Sequence, residues 1–201
     1  TNMHHHNKWS GLVIAVIGMG LFSAGTAQAE SEPTIIKITP DAKLVKNVKL
    51  TKHEMGLQLL SSGPKGGTVL TKLDEPITSG KVTFSLSYKA TRKDNGPRNG
   101  FLLLGASEGL GNIISVGTLI GGQAHYIDVR SKHNKMLKDA TIKNQKIDTV
   151  VTVDLDAKTI TMKIGEKNLE TVLPENFKAI RTVGYKAINT QTVFSPITIT
   201  R

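Results

Sequence analysis

The chain has 201 residues, 38% of them hydrophobic and 21% charged, with a net charge of +10 and no cysteine. This composition excludes a globally disordered polymer and supplies one packed core, and the length leaves little room for two domains. The lack of cysteine excludes disulfide staples, thiol chemistry and Cys-based zinc sites.

Residues 1–29 read as an export leader. Thr1 and Asn2 form a short overhang before Met3. Lys8 and three histidines give a polar start, residues 11–22 are apolar, and Ala27-Gln28-Ala29 has the small-x-small pattern of a cleavage site. The apolar run is shorter than the roughly 20 residues a membrane span needs. A cleavable signal peptide, a periplasmic or secreted location and no membrane span are therefore expected. Cleavage removes Trp9, the only Trp, and Lys8, so the net charge falls from +10 to +9 over residues 30–201.

Residues 44–60 carry Lys46, Lys49 and Lys52 at a spacing of three, but the β-branched content and Thr51 favour two strands turning near Lys52. Residues 80–90 alternate. Val82, Phe84, Leu86 and Tyr88 lie on one side, and Thr83, Ser85, Ser87 and Lys89 on the other, as in a half-buried strand. Residues 101–104 and 112–120 are continuously apolar, which suits strands covered on both faces. Residues 149–155 and 158–164 alternate again around Asp156-Ala157, predicting a hairpin, and 165–167 turn into a strand over 168–173. Residues 193–200 read as one closing strand. Turn signals recur at Ser62-Gly63-Pro64, Gly66-Gly67, Asn95-Gly96-Pro97 and Gly121-Gly122. Many short strands and no long helix predict an all-β fold. It is a two-sheet antiparallel β-sandwich or jelly roll, formed by residues 30–201 as one domain.

Three stretches resemble the concanavalin A-like lectin/glucanase (laminin-G-like) jelly rolls. One is the strand over 80–90 followed by Asn99-Gly100-Phe101-Leu102-Leu103-Leu104-Gly105. The second is the hairpin over 150–162. The third is Thr182-Val183-Gly184-Tyr185 together with the ending over 192–199. The resemblance covers most of residues 34–200. It implies a jelly roll whose concave sheet often binds polysaccharide, and fold alone does not fix function.

The glucanase branch carries Glu-x-Asp-x-x-Glu, whose carboxylates act as nucleophile and general acid. Neither Glu108 nor Glu166 has that spacing. The alginate-lyase-like branch carries Gln-x-His, an Arg-rich strand and a C-terminal Tyr, which together remove the proton α to a uronate carboxylate. Gln123-Ala124-His125 matches the first motif and Tyr185-Lys186-Ala187 loosely resembles the last. Thr190 occupies the position of that branch's catalytic Tyr, and the Arg-rich strand is missing. A lyase would use Gln123 and His125, with Tyr126 or Tyr185 as acid or base. Alternation sets Gln123 and His125 on one face with Ile127 and Val129, the face expected to be core.

No cofactor is implied. His53, His125 and His133 show no ligand spacing. Laminin-G-like domains often bind calcium on loops, for which Asp74, Asp94 and Asp128 are the donors to consider, though they do not cluster.

Basic charge is the strongest chemical signal. Arg130, Lys132, Lys135, Lys138, Lys143 and Lys146 face one acid, Asp139, within seventeen residues, and Arg92, Lys93 and Arg98 precede the Phe101 strand. Such patches concentrate polyanions. The export signal and scarce aromatics argue against nucleic acid. Tyr126, Asp128 and Arg130 alternate outward, offering a stacking ring and hydrogen-bonding groups. These features predict a non-catalytic carbohydrate-binding domain for an anionic polysaccharide, with Tyr126, Asp128 and Arg130 at its centre and the basic stretches 92–98 and 130–146 at its rim. The alternatives are a divergent polysaccharide lyase and a structural adaptor module. An adaptor would expose a large apolar patch.

Overall fold

The structure, a computed structural model, describes residues 32–90, 99–119, 124–138 and 146–201. The leader and the basic stretch 91–98 lie outside the described residues, as do residues 120–123, with Gln123, and 139–145. Every regular element described is a strand. They are β1 (Thr34–Ile36), β2 (Leu44–Lys46), β3 (Lys49–His53), β4 (Gly56–Ser61), β5 (Gly67–Ile77), β6 (Lys81–Ala90), β7 (Gly100–Gly105) and β8 (Ile113–Leu119), followed by β9 (Ala124–Asp128), β10 (Lys135–Lys138), β11 (Ile147–Asp154), β12 (Thr159–Ile164), β13 (Lys167–Val172), β14 (Ile180–Ala187), β15 (Thr190–Phe194) and β16 (Ile197–Thr200). All pairings are antiparallel.

Two sheets form the sandwich. The nine-stranded sheet runs β13-β12-β11-β6-β15-β4-β3, with β16 also on β6 and β1 on β16; the seven-stranded sheet runs β10-β9-β8-β7-β14-β5-β2. Alternation decides the inner faces. Val82, Phe84, Leu86 and Tyr88 of β6 are buried with Val151 and Val153 of β11 against Leu102, Leu104, Val116, Ile127 and Tyr185 of the other sheet. The β11–β12 hairpin closes at Asp156-Ala157 as expected, where the Asp154 carboxylate accepts from the N–H groups of Asp156 (3.1 Å) and Ala157 (2.8 Å).

Two strand expectations need correction. Residues 44–60 form three strands, and the reversal falls at Glu54-Met55, where the Met55 N–H donates to His53 Nδ1 at 3.1 Å. The closing segment is two strands, because Pro196 lacks the N–H a ladder needs. At the break Ser195 takes over the pairing. Its N–H donates to Ser87 O and its Oγ accepts from Ser87 N–H, both at 2.8 Å. β6 thereby passes from β15 to β16 without an orphaned amide.

The continuously apolar strand β7 is buried along its whole length. Its even-numbered leucines enter the central core. Phe101 and Leu103 join Leu70 in a second cluster on the outer face of the seven-stranded sheet, with Tyr126, Leu44, Ile113, Leu119 and Ile188 packed against it.

Candidate functional site

The outer face of the seven-stranded sheet is read from its register. Lys186, Phe101, Gly117 and Tyr126 are successive cross-strand partners from β14 to β9, and Gly184, Leu103, Ser115 and Asp128 form the next row. Gly117 and Gly184 lie on either side of β7, whose Phe101 and Leu103 occupy the middle of this face. Neither glycine accepts a Cβ, which would lie 2.0 Å from the carbonyl oxygens of Gly100 and Val69 respectively.

Tyr126 is half-buried against the second cluster, and its hydroxyl oxygen accepts from Asn134 Nδ2 at 3.2 Å. Burial raises the phenol pKa, and Asp128 adds to the effect. Asp128 closes a tight turn, its carboxylate accepting the Arg130 N–H at 2.9 Å and lying 3.6 Å from Arg130 Nε. Arg130 has φ 58°, a conformation uncommon outside Gly and Asn, and it is exposed. Asn134 Oδ1 accepts the Val129 N–H at 2.9 Å, and the Thr171 hydroxyl donates to His133 O. These bonds tie the Arg130 turn to β13 of the opposite sheet.

Lys186 approaches the same ground from β14. Its ammonium sits 5.9 Å from the centre of the Phe101 ring. Burial lowers its pKa first and the Arg130 charge second, while Asp128 opposes both. Ser115 is buried on this face and its Oγ has no hydrogen-bond partner. Beyond Ile113 the face is bounded by residues 106–112, where the Thr182 hydroxyl donates to Ser107 O and Lys72 pairs with Glu108 at 2.6 Å.

The expected lyase residues are not brought together. His125 lies on the inner face, 3% exposed, with Nε2 unpartnered; burial lowers its pKa and Lys167 adds to the shift. Tyr185 is also a core residue, stacked on Phe194 at 4.5 Å, its hydroxyl donating to Ser195 O at 2.6 Å, and burial raises its pKa. Three strand spacings, about 14 Å, separate its strand from that of His125. Tyr126 is on the opposite face of the sheet from both, and Gln123 lies outside the described residues.

The basic rim is also divided. The run over 130–146 is not one loop, because β10 interrupts it. Arg130, Lys132 and Lys135 are at the β9–β10 turn. The strand ends flanking residues 91–98, Ala90 and Gly100, are at the other end of the sandwich, next to Ile147 and Thr118. Arg92, Lys93 and Arg98 themselves lie outside the described residues. Asp74 is exposed on β5 and Asp94 is not described; among the described residues no three His, Asp or Glu groups are placed to hold a metal. The exposed large apolar residues among those described are Ile35, Leu60, Leu110, Met136, Val150 and Val172, and no two are cross-strand partners.

Lys186, Phe101 and Ser115 were not singled out by the sequence reading. The signal was present in the alternation: a core Tyr185 sets Lys186 outward.

No protein-family model matches the chain, and no curated protein sequence does. Solved structures match over most of its length. The carbohydrate binding module CBM66 from Bacillus subtilis aligns with a TM-score of 0.59 at 10% identity, covering 82% of this chain and 99% of that one. A lectin from Bauhinia forficata in complex with GalNAc gives 0.58 at 10% identity, covering 86% and 98%. Lectin II from Ulex europaeus gives 0.56 at 16% identity, covering 86% and 99%. The chain thus has the concanavalin A-like jelly-roll fold that the three sequence stretches resemble.

Proposed function

We propose that the protein is an exported carbohydrate-binding domain for an acidic polysaccharide, held on the outer face of the seven-stranded sheet around Tyr126, Asp128 and Arg130. One observation carries the reading. On a sandwich shared with lectins and a carbohydrate-binding module, this face fixes a half-buried aromatic ring beside a carboxylate and its paired guanidinium, with Lys186 on the same face three strands over. A ring of this kind stacks on a sugar face, a carboxylate accepts hydroxyls, and a guanidinium fork pairs with carboxylate or sulfate. The net positive charge raises the local concentration of a polyanion. General acid–base chemistry needs its acid and base within reach of one proton, and the division of His125, Tyr185 and Tyr126 between two faces favours binding over elimination.

The test is co-sedimentation of the protein with alginate, pectin, carrageenan, heparin and a neutral glucan while unsaturated-uronate absorbance is followed. Retention by the acidic polymers without new absorbance is expected. Rising absorbance would replace the reading with a lyase, and no retention by any polymer would overturn it.

A further inference from the structure

The outer-face cluster contains an imbalance that a neutral sugar does not resolve. Lys186 is half-buried, and among the described residues it has no ion-pair partner; its contacts are the Phe101 ring and the fields of Arg130 and Asp128. Arg130 engages Asp128 loosely, at 3.6 Å through Nε, so most of its fork is unused. Asp128 is the carboxylate that the register places on this face, and Arg130 already engages it. The Ser115 hydroxyl belongs to the same face, opposite Asp128 in the register, and is 3% exposed with no partner. A buried hydroxyl without a partner is less stable than a satisfied one.

We infer that Lys186 and Arg130, with the Ser115 hydroxyl on the face between their strands, form an anion subsite that takes one carboxylate or sulfate group of the polysaccharide. The inference rests on the sugar-binding reading and deepens it: charge is read at one built site, rather than by the basic surface at large. An anion there neutralises the excess cation, uses the free Arg130 fork and gives Ser115 Oγ an acceptor. The aliphatic stem of Lys186 stays over Phe101, so a ligand need only recruit its head.

Four variants test this. Lys186→Met keeps the stem and removes the charge. Arg130→Asn removes the fork and tolerates the positive φ. Ser115→Ala deletes the orphan hydroxyl. Lys163→Met, on the outward side of β12 in the other sheet, removes an equal charge elsewhere. Affinity for a short oligouronate is expected to fall roughly tenfold or more in the first two and less in Ser115→Ala, with Lys163→Met unchanged. Ser115→Ala is expected to melt no lower than the parent, which separates a ligand role from a structural one. If all four bind alike, the subsite is overturned while sugar binding stands. If the parent binds no polymer, the sugar reading fails and the subsite is judged by NMR of the Lys186 ammonium. A rise in its pKa with sodium glucuronate or inorganic sulfate supports an anion site, and no change with either overturns it.

Discussion

Two polar residues, the part-buried Ser195 and the buried His125, decide much of this domain's behaviour, and each has its own signature. Ser195 bridges the break before Pro196, receiving Ser87 N–H and the Tyr185 hydroxyl and donating its own N–H to Ser87. Ser195→Ala leaves the Ser87 amide without its acceptor at a part-buried site. Urea unfolding should show a loss of about 1–2 kcal/mol. A loss near zero would mean that water replaces the hydroxyl. His125 contributes through pH. Its ring is buried under β13, facing Thr118 of β8 and Leu137 of β10, with the Lys167 charge nearby. The folded state prefers the neutral ring, so its pKa lies below the ordinary 6.5. The unfolded chain then takes up the proton first as pH falls. The His125 contribution is complete above about pH 7 and is lost progressively as pH falls through the folded value. Asp148, whose carboxylate is held below 3.8 chiefly by the Ser87 hydroxyl, acts below the range from pH 7.5 to 5. Unfolding free energies at pH 7.5 and 5 should differ in the parent and converge in His125→Leu; an unchanged difference would assign the pH effect elsewhere.

At the level of strands, the sandwich protects its open edges with lysine. β3, β13 and β10 are edge strands. Each places one Lys on the inward register: Lys52 opposite Leu57, Lys167 opposite Ile164 and Lys135 opposite Ile127. A second sheet edge pairing there would have to bury an ammonium, which costs far more than the ladder bonds return. Replacing all three with Val should leave the fold intact and produce concentration-dependent association by sedimentation velocity. A monomeric triple variant would show that other features protect the edges. The same strands show what alternation can and cannot reveal. β6, the β11–β12 hairpin and β7 were legible because their apolar positions repeat with period two or fill both faces. The break between β2 and β3 was not, since it depends on Asn47 taking a positive φ, a local conformation with no periodic trace. The split at Ser195-Pro196 was marked by its proline and overridden by the alternation on either side. On the outer face, Tyr126 and Asp128 were legible from one strand's alternation, whereas Arg130 lies past the strand end in a turn. Lys186 and Ser115 were not legible, because sheet order alone sets Lys186 beside Phe101, far away in sequence, and Ser115 beside Asp128, one strand over.

Across the whole molecule, charge and topology must be read together. Linear sequence makes residues 130–146 look like one basic rim. The fold separates the Arg130, Lys132 and Lys135 end from the strand end that leads into 139–145 by the length of β10, about 10 Å. That exceeds the Debye length of about 8 Å at physiological ionic strength, so the two ends act as independent patches there and as one field only at low salt. A long polyanion can bridge both ends, whereas an oligosaccharide of two or three residues reaches only the Arg130–Lys186 ground. The salt dependence of binding should therefore change with ligand length. For a long alginate, affinity is expected to fall steeply between low and physiological salt, because released counterions and distant lysines contribute. For a short oligouronate the fall should be shallower, and it should shrink further in Lys186→Met. Isothermal titration at three salt concentrations with both ligands checks this. Equal slopes for long and short ligands would mean that binding is confined to one compact patch, and salt-independent binding of both would remove electrostatics from the account while leaving the Tyr126 stacking surface as the source of affinity.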